Sequence, residues 1–141
     1  MKKIKLEPIL DPEGNKLVIP DRDIRGNLKF RGVACPACSR PTEVELVDTD
    51  SLLDLLTELV LYRIPIDQYT RKDSHNASEV LTQIHKCRHN SSPTLDLSDE
   101  IHKWLRTLLD DDKIGARTFR HNLPIIEEAL DNFERLHEKA E

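Results

Sequence analysis

The apolar residues of this chain change period once, near Asp48, and that change constrains the fold more than any other feature. Before it, apolar side chains come in short alternating runs separated by Pro, Gly and Asp, the pattern of strands and turns. Lys3 to Leu10, Lys16 to Ile19, Leu28 to Ala34 and Thr42 to Val47 read as four strands. Asp11-Pro12-Glu13-Gly14-Asn15 turns the first strand into the second, and Pro20-Asp21-Arg22-Asp23 ends the second. The expectation for residues 1–47 is two N-terminal β-hairpins.

After Asp48 the spacing becomes helical. Leu52, Leu55, Leu56, Leu59 and Val60 share one face, with Asp50 or Ser51 as N-cap and Asp54 completing a capping-box pattern. Pro65 stops that helix, because the residue before proline is pushed out of the α region. A second helix is predicted from Asp73 or Ser74, turning Ala77, Val80, Leu81, Ile84 and Cys87 inward and fraying at His89 to Pro93. Ser98 caps a third helix, with Asp99 and Glu100 at its positive end and a stripe of Ile101, Trp104, Leu105, Leu108 and Leu109. Phe119, Leu123, Ile126, Leu130 and Phe133 mark a last helix that kinks at Pro124 or restarts there. The fold class is therefore α+β: N-terminal β-hairpins, one of them zinc-knuckle-like, followed by a bundle of about four α-helices. Residues 1–141 read as a single domain, strand-rich over 1–47 and helical over 48–141, with no internal repeat.

Cys35-Pro36-Ala37-Cys38 sits between two predicted strands, where a tight turn brings two thiolates together as in a zinc knuckle. Structural zinc takes four sulfur or imidazole ligands, and Cys87 and His89 complete the set if the helix unwinds there. The expected site is Cys35, Cys38, Cys87 and His89, closed and structural. A redox role for the pair is disfavoured, since no helix N-terminus follows to lower a thiol pKa.

Other chemistry is sparse. The histidines at 75, 85, 89, 102, 121 and 137 have no nucleophile or orienting partner beside them in sequence, and catalysis needs a positioned partner. They read as surface residues. Asp110-Asp111-Asp112 lacks the spacing and glycine of a calcium loop. The four glycines are scattered, so no phosphate-cradling loop exists. The chain reads as non-enzymatic.

Net charge is −5, and the excess acid lies in the helical part. Such a surface suits a basic protein partner better than a phosphate backbone. Arg22, Arg25, Lys29, Arg31 and Arg40 form the one basic group, around the second hairpin. They supply the alternative reading, a zinc-hairpin nucleic-acid-binding protein. No apolar run is long enough to span a bilayer, and the first residues lack the apolar stretch of a signal peptide. Three cysteines fit a reducing compartment, so a cytoplasmic location is expected.

Leu6-Glu7-Pro8-Ile9-Leu10-Asp11-Pro12-Glu13-Gly14, Leu95 to Ile101 and the stretch Phe119 to Leu130 together resemble the plan of small bacteriophage and prophage proteins. These open with a strand, a D-x-x-G turn and a second strand, then give helices; the CxxC hairpin is an insertion in that plan. The resemblance implies a phage-encoded, non-enzymatic factor that binds host or virion proteins in the host cytoplasm. It carries over no functional residues.

Overall fold

The computed structural model describes residues 2–34 and 41–134, and the chain is α+β as expected. The first strand, β1 (Lys2–Lys5), does not form the first predicted hairpin. It lies between β6 (Thr94–Leu97) and the short β7 (Phe133–Glu134), antiparallel to both. The reason lies just downstream. Pro8 has no N–H to donate to a ladder, so the backbone leaves the sheet, bonding Pro93 O through Leu6 N and Asp50 O through Ile9 N. Only a single bridge, Leu10 to Lys16, closes the turn that follows.

The second strand, β2 (Leu17–Pro20), therefore takes a distant partner, β5 (Leu46–Thr49). The second predicted hairpin does form: β3 (Phe30–Ala34) pairs with β4 (Pro41–Val44). Since only Glu45 separates β4 from β5, residues 41–49 act as one long side of a ribbon. At the junction, three backbone bonds run in a ring: Asp21 N to Glu45 O, Glu45 N to Lys29 O, and Lys29 N to Asp21 O.

Helix α1 (Leu52–Tyr62) is mostly buried. Leu52, Leu53, Leu55, Leu56, Leu59 and Val60 are all buried, and so is Glu58. Val80 and Ile84 of α2 (Arg71–His89) and Ile126 and Leu130 of α5 (Leu123–Leu130) lie on elements that pack on α1. Ile101, Leu105 and Leu109 of α3 (Asp99–Asp110), which packs on α2 and α5, join the same buried cluster. Ile4, Leu95 and Leu97 enter the same core from the sheet. The helices share one core with the sheet. Removing these apolar surfaces from water is the main drive to fold.

The helix starts follow local chemistry, not always where anticipated. Ser51 makes no side-chain cap on α1; Asp54 instead accepts from Thr49 Oγ1 at 2.7 Å. Helix α2 begins two residues before the predicted Asp73, at a full capping box in which Thr70 and Asp73 satisfy each other's backbone N–H groups. Asp73 also accepts from Trp104 Nε1 at 2.9 Å, tying α3 to the start of α2. Ser98 caps α3 as expected. Between α3 and α5 run a π turn (Asp112–Ala116), a single turn α4 (Arg117–Phe119) and a 3-10 turn (Arg120–Asn122). A Cβ on Gly115 would lie 2.1 Å from Leu109 O, so that tight return requires glycine. The chain restarts with Pro124 in the first turn of α5. No helix among the described residues is long and apolar enough to cross a membrane.

His102, read from sequence as a surface residue, is only 4% exposed. Its Nε2 lies 3.0 Å from Leu130 O and its Nδ1 3.3 Å from Lys2 Nζ. A neutral ring with the proton on Nε2 satisfies both neighbours. Phe133 packs edge-on at 5.2 Å, and Asp131 Oδ1 lies 3.3 Å from Nε2. Burial holds the imidazole pKa below its ordinary value, and the cations Lys2 and Arg106 add to that; the Leu130 carbonyl and Asp131 oppose it.

The unfolded chain takes up this proton near pH 6.5 and the folded chain only at lower pH. Stability from this group is thus complete above the unfolded pKa and declines as pH falls toward the folded one. Urea midpoints measured from about pH 7.5 to 5 are expected to fall, and His102→Gln to flatten the slope. An unchanged slope in the variant would exclude His102 as its source.

Candidate functional site: a ribbon locked to the first helix

Glu58 lies three residues after Leu55 and one before Leu59, on the apolar side of α1, with a side chain only 3% exposed. Burying a lone carboxylate is prohibitive unless it is paired and hydrogen-bonded. Arg22 supplies the pairing in bidentate form, Nε to Oε1 at 2.9 Å and Nη2 to Oε2 at 2.8 Å. Arg63 adds Nε to Oε2 at 2.7 Å. Such forked, charge-assisted bonds fix orientation as well as distance. The Glu58 hydrogen bond holds the Arg22 guanidinium above its ordinary pKa range, against the opposing effect of burial.

Two further contacts complete the lock. The Arg22 guanidinium stacks 3.8 Å from the centre of the Tyr62 ring, and its Nη1 donates to Gly26 O at 3.1 Å. Gly26 adopts φ +86°, and a Cβ there would come within 2.9 Å of the Tyr62 ring. Arg22 and Gly26 therefore clamp the Asp23–Asn27 turn on the last turn of α1.

That turn has a twin. Asp23 Oδ1 accepts from Arg25 N and Asn27 N, while Gly26 N donates to Asp23 O. Asp11 does the same with Glu13 N, Asn15 N and Gly14 N. Both read Asp-x-x-Gly-Asn, and each is flanked by an antiparallel bridge, Leu10 to Lys16 and Arg22 to Leu28. This small repeat corrects the expectation of none; the duplicated signature, with glycine at φ +85° and +86°, was its signal. Only the second copy docks on the body.

The lock leaves one face of the ribbon outward. Leu17 pairs with Thr49 and both are buried. The alternate rows, Val18 with Asp48 and Pro20 with Leu46, point the other way, and Phe30 with Val44 continues them. Leu46 is 60% exposed, Val18 52% and Phe30 51%. Ile24, at the tip of the docked turn, is fully exposed.

The zinc expectation is overturned by what surrounds Cys87. Helix α2 runs unbroken to His89, so Cys87 and His89, two positions apart, point to different sides. Cys87 is buried, with Sγ 3.4 Å from Thr94 O and 3.6 Å from Ser92 O. His89 is exposed and stacks with His85, the rings 6.4 Å apart. Cys35 and Cys38 lie outside the described residues. Among the described residues no three His, Cys, Asp or Glu side chains gather as metal ligands. Cys87 is a core thiol, its pKa raised by burial first and by Asp96 second.

Three of the basic residues of the alternative reading have described side chains. Arg22 is committed to Glu58, Lys29 Nζ lies 3.4 Å from Asp21 Oδ2, and Arg25 is exposed at the turn. The side chains of Arg31 and Arg40 lie outside the described residues. No family model, curated protein or solved structure is found to match this chain.

Arg22→Ala leaves Glu58 buried with one partner, the more exposed Arg63, and is expected to lower stability by about 2–3 kcal/mol. Gly26→Ala, which adds strain at positive φ and a clash with Tyr62, is expected to cost about 1–2 kcal/mol. The double change Arg22→Ala, Glu58→Leu removes both charges, and recovery of part of the Arg22→Ala loss is expected. Urea unfolding of the three variants checks this. An Arg22→Ala protein as stable as the parent would show that the clamp holds nothing.

Proposed function

We propose that this chain is a non-enzymatic protein-binding module or regulator, and that the outward face of the ribbon is its docking element. The supporting observation is the strip Val18, Pro20, Leu46, Val44 and Phe30 on a ribbon clamped at Glu58. Contiguous apolar side chains held half in water mark interaction surfaces. A rigid support lowers the ordering cost that binding must overcome. The role is of the kind the bacteriophage resemblance implies, a phage-encoded factor acting on a host protein machine in the host cytoplasm. The buried free thiol of Cys87 is compatible with that reducing setting. The nucleic-acid reading draws less support, because Arg22 is spent inside the fold and Lys29 faces Asp21.

Capture from a bacterial lysate tests the proposal. The parent protein is expected to retain a specific protein, and Val18→Asp, Leu46→Asp to lose it while unfolding at the same urea concentration. Both changes are at exposed positions, so the fold is expected to survive. Equal capture by parent and variant would remove the ribbon from the interface, and no specific capture would count against the whole reading.

A further inference from the structure

We propose a second docking surface, independent of the ribbon: the groove between residues 5–10 and α5 receives a basic segment of another protein, anchored by an apolar side chain. The groove is open to solvent and offers about 720 Å³, within the size range of clefts that seat a ligand or a few side chains. Its floor is apolar, formed by buried Ile9 and Leu52 with partly buried Ile125 and Ala129. Leu10, 41% exposed, stands at its lip.

The rim is acidic. Glu7, Glu128 and Asp131 face one cation, Lys5. Glu7 and Glu128 are exposed and form no ion pair among the described residues, whereas Asp131 is shared with His102 and Arg106. The C-terminal end of α5 opens on the same groove and adds its partial negative charge. An apolar floor under a net-negative rim selects a positively charged, apolar-anchored peptide by complementarity. The carboxylates do not converge as metal ligands. A second copy of this chain, itself at net charge −5, would bring like charge to the rim.

The probe is a fluorescent helical peptide of about 14 residues, close to four turns, built from Lys and Leu. Two controls of equal length use Lys with Ser and Glu with Leu. The Lys/Leu peptide is expected to bind, more weakly at higher salt, the Lys/Ser peptide to bind at least several-fold less tightly, and the Glu/Leu peptide not to bind. Glu7→Lys, Glu128→Lys is expected to weaken the Lys/Leu complex about tenfold or more, while Val18→Asp, Leu46→Asp leaves it unchanged. Amide shifts on titration are expected at residues 7–10 and 125–132. Equal binding of the Glu/Leu peptide, an unaffected Glu7/Glu128 variant, or loss of binding in the ribbon variant would each overturn the proposal. So would a dimer in sedimentation that the Glu7/Glu128 variant dissolves. Because the ribbon and groove variants are read separately, failure of one surface leaves the other standing or falling on its own result.

Discussion

A carboxylate placed among the leucines of α1 has to be neutralised where it lies, and the geometry of this protein follows from how Glu58 meets that demand. Helix α1 carries no cation, so the partners of Glu58 come from outside: Arg63 just past the helix end, and Arg22 from the ribbon. A two-stranded ribbon has little stability alone in water. Here it gains a fixed anchor at one end, with Tyr62 under the guanidinium and Gly26 pressed against the ring. An apolar residue at 58 could bury as much surface, and replacing buried ion pairs that way is often neutral or favourable. What it could not supply is the two-pronged direction of the Arg22 fork, which fixes how the ribbon is presented.

The parts of the fold legible in the sequence are those set by neighbours within a few residues. Ser98 with Asp99 and Glu100 announced α3, the leucine spacing announced α1, and Pro124 announced a restart. The β3–β4 hairpin was also legible, because its strands flank a short connection. The partners of β1 were not. Alternation over Lys2 to Leu6 shows that Ile4 faces a core, but nothing local says that the facing strands are residues 94–97 and 133–134. Pro8, visible in the sequence, was the clue that the first hairpin would fail.

The candidate site was harder to read because its central residues looked ordinary. Glu58 is one acid in an apolar run, although its spacing from Leu55 and Leu59 places it on the buried side. Arg22 looked like one member of a basic group, and the structure makes it an internal partner. Cys87 misled in the opposite direction: a cysteine near a histidine suggested a ligand, yet its spacing from Ile84 already made it a core position. The repeated Asp-x-x-Gly-Asn was present in full and passed over, because five residues of turn chemistry are common anywhere in a sequence.

The two exposed surfaces differ in a way that bears on how such a protein could act. The ribbon's outward face is apolar; its inner row packs on the core through Leu17 and Ile19, and the ionic clamp of Arg22 on Glu58 fixes its far end. The groove is built from core elements, with Leu52 and Ile9 buried beneath it, and its character is set by charge on the rim. Loosening the clamp would reorient the first surface and leave the second in place. Changing salt would act on the second and spare the first, since screening weakens exposed charge and leaves apolar contact largely untouched. If both proposed docking surfaces are used, their dependence on different physical terms would let one small chain hold two partners without one binding event dictating the other.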